Sequence, residues 1–269
     1  MSTILLDVSD GIATITLNRP RTLNAITAED YTALAETLRK VDKRDDVVAT
    51  LVQATGRWFC AGTEVNGQPS AATGPIETDR EQFIHRVAPS NTDCSKALYS
   101  HSKLLIAALN GPVMGIASAF LGLFDFIYCM PDVWLSVPFS FLGIISEAGS
   151  SVSFVNRMGL SKANEVLIFG KKMEADELLA CGFVNKIFPK QSTEEFNTTV
   201  RKYVSDQLAG LDPTALLKIK ELIQYGINEK NSKDGTNLRE SYAQAERFAS
   251  GIPTKRFGMI ARKEIKHKL

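Results

Sequence analysis

The sequence has almost no net charge, few histidines and no paired cysteines. Its 31 Lys and Arg residues are nearly matched by 30 Asp and Glu residues, which leaves a net charge of +1. This balance argues against a nucleic-acid-binding protein, which needs a strongly basic surface. Hydrophobic residues make up 44% of the chain and charged residues 23%, as in an ordinary soluble globular protein. At 269 residues the chain fits one large domain, or a core with a helical appendage.

The cysteines form no C-x-x-C pair; they are Cys60, Cys94, Cys129 and Cys181. Strand-like sequence begins within the first few residues, so we expect no signal peptide. Reduced thiols in a reducing compartment are therefore predicted. The most apolar stretch, Leu104–Met130, is interrupted by polar residues and a proline, so the sequence predicts no membrane span.

Common catalytic motifs are also absent. The chain contains no G-x-S-x-G elbow, H-E-x-x-H helix, G-x-x-x-x-G-K-[ST] loop or G-x-G-x-x-G turn. Its histidines, His85, His101 and His267, are scattered, and neither His85 nor His101 has a nucleophile signature nearby. We interpret them as ordinary surface or core histidines and predict no metal site.

Strand and helix patterns alternate along the first half of the chain. Thr3–Val8 and Ile12–Leu17 alternate apolar and polar residues around Asp10-Gly11, which predicts a hairpin. Thr27 is the expected cap of a helix that runs to about Val41. The remaining predicted elements are strands Val47–Gln53, Leu104–Leu109, Phe126–Cys129 and Val133–Val137, and a helix over about Arg80–His101 that Pro89 breaks or kinks. Such alternation indicates right-handed β-α-β crossovers.

The second half is predicted to be mainly helical. Helices are expected over Ser161–Phe169, Ala175–Ala180, Phe196–Leu208, Pro213–Tyr225, Asn237–Ala249 and about Pro253–Lys266, with one short strand near Val184–Phe188. A capping box begins at Ser192, and Asp212-Pro213 is a typical helix start. Residues 66–79 are rich in small and turn-forming residues and predict a surface loop.

One carboxylate occupies an unusual setting, in the stretch Gly143–Ser151. There Glu147 lies between an apolar segment and a turn of small residues. Burial disfavours an ionised carboxylate, so the pKa of Glu147 is expected to be raised, as in a proton-transferring base. The alternative is that Ser146 and Glu147 merely cap a helix.

Two turns follow buried strands and resemble each other. Cys60–Glu64 and Met114–Ala117 each carry a glycine and could expose backbone N–H groups at a helix start, where negative charge is favoured. Two such groups aimed at one point would form an oxyanion hole. Taken singly, each turn is better explained by glycine-assisted packing.

Considered together, these features resemble the enoyl-CoA hydratase/isomerase (crotonase) superfamily. The matching places, in order, are Asn18-Arg19-Pro20 with Leu23-Asn24-Ala25, Phe59–Glu64, Asn110-Gly111-Pro112 with Gly115, Phe124-Asp125-Phe126, and the loop from Gly143 onward. The resemblance covers nearly the whole chain. It implies an α/β fold, a crotonase-like spiral of β-β-α units with a helical C-terminal part, and a homotrimer or homohexamer. The spiral core would span residues 1–200 and the trimerisation region residues 201–269.

The resemblance also assigns roles to residues. It implies an acyl-CoA substrate, with no separate cofactor, whose thioester oxygen is held by the backbone N–H groups of Thr63 and Ile116. CoA would be cradled, mostly through backbone contacts, by Leu23, Asn24, Ala25 and Ala61. The first turn reads Cys-Ala-Gly-Thr-Glu where the family usually has Ser-Ala-Gly-Ala-Asp, so Thr63 would narrow the pocket.

The acid–base residues point to one reaction within the family. Hydratases resemble one another in carrying two glutamates, at positions that fall on Ala119 and Phe139 here. Glu147 remains, and its surroundings look most like the fungal peroxisomal Δ3-Δ2-enoyl-CoA isomerases. Asn91 falls where those proteins carry an asparagine near the base. A single carboxylate suits a proton shuttle from carbon 2 to carbon 4 of a 3-enoyl-CoA.

The C-terminus resembles a peroxisomal address. His267-Lys268-Leu269 is a variant of Ser-Lys-Leu, which implies recognition by the peroxisomal import receptor and a place in the peroxisomal matrix. The alternative is a basic tail that ends in leucine by chance. The last predicted helix is basic through Lys255, Arg256, Arg262, Lys263 and Lys266, which could meet CoA phosphates or form a solvated face.

Three functions stay open on the sequence. The leading one is 3-enoyl-CoA to 2-trans-enoyl-CoA isomerisation in fatty-acid β-oxidation. The second is another reaction on the same scaffold, either dienoyl-CoA isomerisation or weak hydration. The third is a low-activity paralogue that acts as an acyl-CoA-binding or import-partner subunit.

Overall fold

A sheet of six strands organises the N-terminal half of the molecule. The computed structural model describes residues 3–64 and 78–267. The strands of this sheet lie in the order β1-β2-β3-β4-β6-β9. Their bounds are β1 Ile4–Ser9, β2 Ile12–Leu17, β3 Ala49–Ala54, β4 Leu104–Leu109, β6 Phe126–Cys129 and β9 Lys186–Ile187. β1 pairs antiparallel with β2, and the other neighbours are parallel. The predicted hairpin is confirmed, with Asp10 and Gly11 at φ 52° and 73°.

A second, smaller sheet stands beside the first. It contains β5 Val113–Met114, β7 Trp134–Ser136 and β8 Met173–Glu174. β5 runs parallel to β7, and β7 runs antiparallel to β8. The strands predicted at 126–129 and 133–137 are thus both present, but they belong to different sheets.

Helices fill the connections and form the C-terminal part. Their bounds are α1 Ala28–Asp42, α2 Asp79–Gln82, α3 Asp93–Tyr99, α4 Ile116–Leu121, α5 Phe139–Leu142, α6 Ser150–Phe169, α7 Ala175–Ala180, α8 Thr193–Leu208, α9 Pro213–Lys230, α10 Lys233–Ala249 and α11 Ile252–Ala261. A 3₁₀ turn covers Pro20–Thr22. The predicted caps at Thr27, Ser192 and Asp212 are all present. The last helix ends at Ala261 rather than near Lys266.

The helix predicted over Arg80–His101 is interrupted by a π-helix, Phe83–Thr92. Pro89 lies inside it and has no N–H to donate, and the wider turn accommodates its ring. Side-chain hydroxyls bind carbonyls of this segment: Ser90 donates to Arg86 O, and Thr92 donates to Val87 O at 3.3 Å. The expected break at Pro89 is confirmed, in the form of a π-helix.

The hydrophobic core runs through both halves of the chain. It includes residues of β2, β3 and β4 and of the helices packed on them, and it continues into α8 through Phe196, Val200 and Val204. α8 therefore runs across residue 200 while packing on the core, and the division of the chain at that residue stays a prediction. Of the predicted loop at 66–79, residues 66–77 lie outside the described residues, and Thr78 caps α2.

His101 is a core histidine, as interpreted from the sequence. Its Nε2 lies 2.8 Å from the Thr50 hydroxyl, and its side chain is fully buried. Burial lowers the pKa of His101 to about 4, so the ring is neutral near pH 7. Within the described residues, no helix is long and apolar enough to cross a membrane. The same residues include no cluster of three or more potential metal ligands.

Candidate active site

Two glycine turns meet at the centre of the candidate site. Gly62 and Gly115 adopt φ 88° and 62°, in the region that favours glycine. A Cβ on Gly62 would lie 2.9 Å from the carbonyl oxygen of Met114 and 3.6 Å from the Cα of Gly115. Only glycine allows the two backbones to approach this closely.

Backbone hydrogen bonds join the segments that carry the turns. Cys60 and Val113 form a parallel bridge. The N–H of Met114 donates to Cys60 O at 3.0 Å, and the N–H of Phe59 donates to Pro112 O at 3.1 Å. The two turns are therefore fixed relative to each other by main-chain bonds rather than by side chains.

The backbone N–H groups of Thr63 and Ile116 lie at these turns. Thr63 pairs with Ile26 through bonds from Ile26 N to Gly62 O (2.8 Å) and from Glu64 N to Ile26 O (2.9 Å). The N–H of Thr63 takes no part in either of these two bonds. Ile116 is the first residue of α4, where helical N–H groups have no partner within the helix. No acceptor for either group is found among residues 3–64 and 78–267, so both can donate to an oxyanion.

The loop Leu23-Asn24-Ala25 is held rigidly. Leu23 and Asn24 both have φ 56°. The Asn24 side chain donates to Thr55 O and to Trp58 O, both at 2.8 Å, and accepts from the N–H of Arg19 at 2.8 Å. Since the Asn24 amide is committed to these bonds, a ligand at this loop would meet the backbone.

This loop also contacts the first glycine turn. The N–H of Ala61 donates to Leu23 O at 3.0 Å, and the Cys60 thiol donates to Asn24 O at 3.0 Å. The fold therefore brings the predicted CoA-binding residues together next to Thr63; they are Leu23, Asn24, Ala25 and Ala61.

Glu147 is a buried carboxylate, with 6% of its surface exposed. Its Oε2 accepts hydrogen bonds from the side-chain amides of Asn91 and, at 3.3 Å, Gln244. Burial is the main cause that raises the pKa of Glu147 to about 8, and the charge of Glu240 is the second. The charge of Arg86 and the hydrogen bond from Asn91 oppose the rise. A carboxyl group with that pKa can both accept and return a proton near neutral pH.

The helix-cap explanation of Glu147 is wrong. α6 begins at Ser150, and its N-cap is Gly149, whose φ is 73°. The Glu147 side chain bonds to other elements instead. Ala148 next to it is buried and has φ 59°, a left-handed conformation that costs a non-glycine residue about 1–2 kcal/mol. Such strain is typical of functional segments held by their surroundings.

Tyr31 contacts the first turn and lies within electrostatic range of Glu147. Its hydroxyl lies 2.7 Å from the Thr63 hydroxyl, and its ring meets Phe120 of α4 edge to face. Burial raises the pKa of Tyr31 well above 10, and the nearby charge of Glu147 raises it further. The Tyr31 phenol is therefore neutral near pH 7, bonded to Thr63 and packed against α4.

The positions where hydratases carry glutamates are filled by the core. Ala119 lies on α4 and Phe139 opens α5, and they are 0% and 1% exposed. Neither offers a group that could activate water. Glu147 is therefore the acid–base candidate among the positions that the sequence singled out.

With this geometry established, the family follows from sequence comparison. The model of the enoyl-CoA hydratase/isomerase family matches residues 7–252. The chain belongs to this family.

Relatives in the family support the same assignment. A Delta(3,5)-Delta(2,4)-dienoyl-CoA isomerase from Pyricularia oryzae is 38% identical, and the match covers 96% of each chain. A 3,2-trans-enoyl-CoA isomerase from Saccharomyces cerevisiae is 32% identical, over 95% of this chain and 92% of that one. The crystal structure of an enoyl-CoA hydratase/isomerase from Pseudoalteromonas atlantica superposes over the full length of both chains, with a TM-score of 0.84 and 25% identity. The expected crotonase fold, α/β with a helical C-terminal part, is confirmed.

Sequence reasoning missed the residues that the C-terminal region adds to this family site. Gln244 and Glu240 of α10 contact the stretch around Glu147 from about ninety positions further along the chain. The signal in the sequence is a set of polar residues at helical spacing, and the structure shows that all four are buried: Asn237, Glu240, Ser241 and Gln244. An amphipathic helix normally buries an apolar stripe instead.

The predicted C-terminal features are only partly visible. His267 packs edge to face against Phe141, while Lys268 and Leu269 lie outside the described residues. Arg256 donates to Phe141 O, and Arg262 pairs with Glu264 at 2.6 Å. Both arginines are thus engaged within their own chain.

The contact between the two turns predicts the effect of a single methyl group. Gly62→Ala adds a left-handed non-glycine residue and forces Met114 O away, so it should destabilise the protein by clearly more than the conformational cost of about 1–2 kcal/mol. Urea unfolding measures the difference.

Gly210→Ala is the matched control for Gly62→Ala. Gly210 has φ 77° but no atom within 4 Å of an added Cβ, so it isolates the conformational cost. Equal destabilisation by the two substitutions would contradict the close approach of the turns.

Proposed function

We propose that the protein is an isomerase that converts 3-enoyl-CoA to 2-trans-enoyl-CoA in fatty-acid β-oxidation. The observation that carries the proposal is the buried carboxylate of Glu147, which is held by two neutral amides and has a raised pKa. Glu147 removes a proton from carbon 2 and returns it to carbon 4. The electrons of the broken C–H bond form the new double bond between carbons 2 and 3. The electrons of the former double bond between carbons 3 and 4 form the new C–H bond at carbon 4.

The oxyanion donors stabilise the intermediate of this reaction. Loss of the carbon 2 proton gives a dienolate whose negative charge rests on the thioester oxygen. The N–H groups of Thr63 and Ile116 bind that oxygen, and loss of one such donor typically costs about 2.7–4 kcal/mol of barrier. Since both donors belong to the backbone, the threonine at position 63 does not impair this role.

The environment of Glu147 fits a shuttle rather than a hydration site. Its two hydrogen-bond donors are neutral amides, which orient the carboxylate without competing for the proton. Carbons 2 and 4 are separated by one carbon, so one carboxyl group can serve both with a small movement. Hydration would need a second group to activate water, and Ala119 and Phe139 do not supply one.

Dienoyl-CoA isomerisation is the second candidate, favoured by the 38% identity to the Pyricularia oryzae protein of that name. That reaction moves a proton between carbons 2 and 6, which are further apart than one carboxyl group readily spans. Glu240 is a poor second base, because its carboxylate accepts from two backbone N–H groups at 2.6 and 3.0 Å. We therefore rank dienoyl-CoA isomerisation below the 3-enoyl-CoA reaction.

α9 supports the proposal of a homotrimer or homohexamer. Of its 18 residues only Lys220 is buried, whereas several of its large apolar side chains are exposed to solvent. Ile219, Leu222, Ile223 and Tyr225 are each 56–62% exposed. An apolar helix surface of this kind is typical of a subunit interface.

We also propose residence in the peroxisomal matrix, with His267-Lys268-Leu269 bound by the import receptor. The proposal rests on the tripeptide and on its agreement with a role in β-oxidation.

The decisive variant is Glu147→Gln. It removes the proton carrier and keeps the shape, so turnover of 3-enoyl-CoA should fall by about 10²–10⁴-fold with acyl-CoA affinity little changed. Purified protein is assayed for 2-trans-enoyl-CoA formation, with 3,5-dienoyl-CoA and 2-enoyl-CoA as parallel substrates. Glu229→Gln, on the exposed face of α9, is the control.

Other outcomes of this assay identify the alternatives. Undiminished turnover in Glu147→Gln would refute the shuttle. Preferred turnover of the dienoyl substrate would identify the second candidate. Tight acyl-CoA binding without turnover of any substrate would identify an acyl-CoA-binding paralogue.

The assembly proposal predicts that a charge on α9 separates the subunits. Leu222→Glu should reduce the mass measured by light scattering to that of a monomer. Lys230→Glu, which introduces the same side chain at a polar position of α9, should leave the assembly intact. A wild-type protein that is monomeric at micromolar concentration would contradict the interface.

The targeting proposal predicts that the last three residues are required for import. A fluorescent protein joined to the N-terminus of the full chain should coincide with a peroxisomal marker in cells. Deletion of residues 267–269 should disperse the signal, and unchanged localisation after deletion would exclude the tripeptide as the address.

A further inference from the structure

One face of α10 makes a series of hydrogen bonds along Gly143–Ser151, the stretch that carries Glu147. Arg247 donates from Nε to Gly143 O at 3.0 Å, near the start of the stretch. Gln244 accepts at Oε1 from the N–H of Ile145 at 3.1 Å. The three side chains involved, at positions 240, 244 and 247, share one helix face because they are spaced by four and three residues.

Glu240 binds the end of the stretch. Its carboxylate accepts from the N–H of Gly149 at 2.6 Å and from the N–H of Ser151 at 3.0 Å. These are orphan donors at the start of α6, whose N-cap residue is a glycine with no side chain to bind them. Glu240 therefore caps α6 from another helix. Burial raises the pKa of Glu240, and the bonds to Ser151 and Gly149 oppose the rise because they favour its ionised form.

Gln244 has a second bond, to the carboxylate itself. Its Nε2 donates to Oε2 of Glu147 at 3.3 Å, the same oxygen that accepts from Asn91. One amide thus holds both the backbone two residues before Glu147 and the carboxylate. Gln244 is 0% exposed, so water does not replace either bond.

We propose that Gln244 and Glu240 are positioning residues for Glu147, so that α10 completes a site otherwise built from the first 151 residues. Gln244 holds the carboxylate, and Glu240 fixes the backbone that follows it. This inference rests on the proposed role of Glu147 as the base.

The two residues act on the charge of Glu147 in opposite directions. A donated hydrogen bond from Gln244 favours the carboxylate, whereas the like charge of Glu240 disfavours it and raises the pKa of Glu147. Other groups that face Glu147 are the Arg86 cation of the π-helix, which favours its ionised form, and the neutral Tyr31 of α1. The neighbour of Glu240 on its own helix, Arg239, favours the ionised form of Glu240.

The test compares the pH dependence of kcat/KM in two variants and a control. Glu240→Gln removes the like charge, so the acid limb should move down by about one pH unit. Gln244→Met removes the donor at similar size, so the limb should move up, with a lower kcat. Glu246→Gln, an exposed glutamate on α10, should leave the limb in place.

A purely structural role would give a different result. It would lower kcat in both variants without moving the acid limb of the pH profile, or it would move the acid limb in the same direction in both. Either result would overturn the proposal. If Glu240→Gln does not fold, an upward shift in Gln244→Met supports positioning, and an unmoved limb refutes it.

A second measurement separates this inference from the proposed function. Infrared difference spectra between each protein and its Glu147→Gln counterpart follow the Glu147 carboxyl band through a pH titration, without substrate. Opposite shifts of the titration midpoint without enoyl-CoA turnover would uphold positioning and refute the isomerase. Normal enoyl-CoA turnover with unshifted titration midpoints would refute positioning and uphold the isomerase.

Discussion

The close approach of two backbone turns, at Gly62 and at Met114-Gly115, is the constraint on which the site depends. Two N–H groups can converge on one oxygen only if their turns lie within a few ångströms of each other. Side chains at the contact would prevent this, and a Cβ on Gly62 would lie 2.9 Å from Met114 O. The parallel bridge between Cys60 and Val113 fixes the turns before any ligand arrives. In the proposed oxyanion hole the two donors would therefore be preorganised, which gives oxyanion sites their effect.

The second requirement of the proposed site is a carboxylate that stays buried although no cation among the described residues is bonded to it. Moving an ionised carboxylate out of water is unfavourable. Among the described residues, Glu147 is stabilised by amide donors and by a raised pKa rather than by a salt bridge. A guanidinium bonded to Glu147 would hold the charge and lower its basicity. Arg86 acts on Glu147 only from a distance, and its guanidinium lies 3.7 Å from the centre of the Phe248 ring. The same arrangement that makes Glu147 expensive to bury makes it able to exchange a proton near pH 8.

Local features of the fold could be predicted from the sequence, and contacts across the chain could not. The hairpin at Asp10-Gly11 and the caps at Thr27 and Ser192 depend on residues within a few positions of one another, so their patterns suffice. Glu147 stood out by its setting between an apolar segment and a turn of small residues, and the family resemblance pointed to the N–H groups of Thr63 and Ile116. The π-helix was not foreseen, because a proline predicts a break but not the geometry that absorbs it. Nor were Gln244 and Glu240, whose partners lie 97 and 91 positions earlier. No periodicity within α10 says which distant backbone its polar face will meet.

The position of α10 in the chain also has a consequence during synthesis. A ribosome releases the stretch around Glu147 well before it makes the helix that holds it. Until α10 emerges, the start of α6 lacks its cap and the carboxylate lacks one of its two amide partners. The strands of both sheets and the two glycine turns all precede α10 in the chain. The contacts of the proposed base are therefore completed after the turns that carry Thr63 and Ile116 have left the ribosome, because Gln244 and Glu240 are synthesised later.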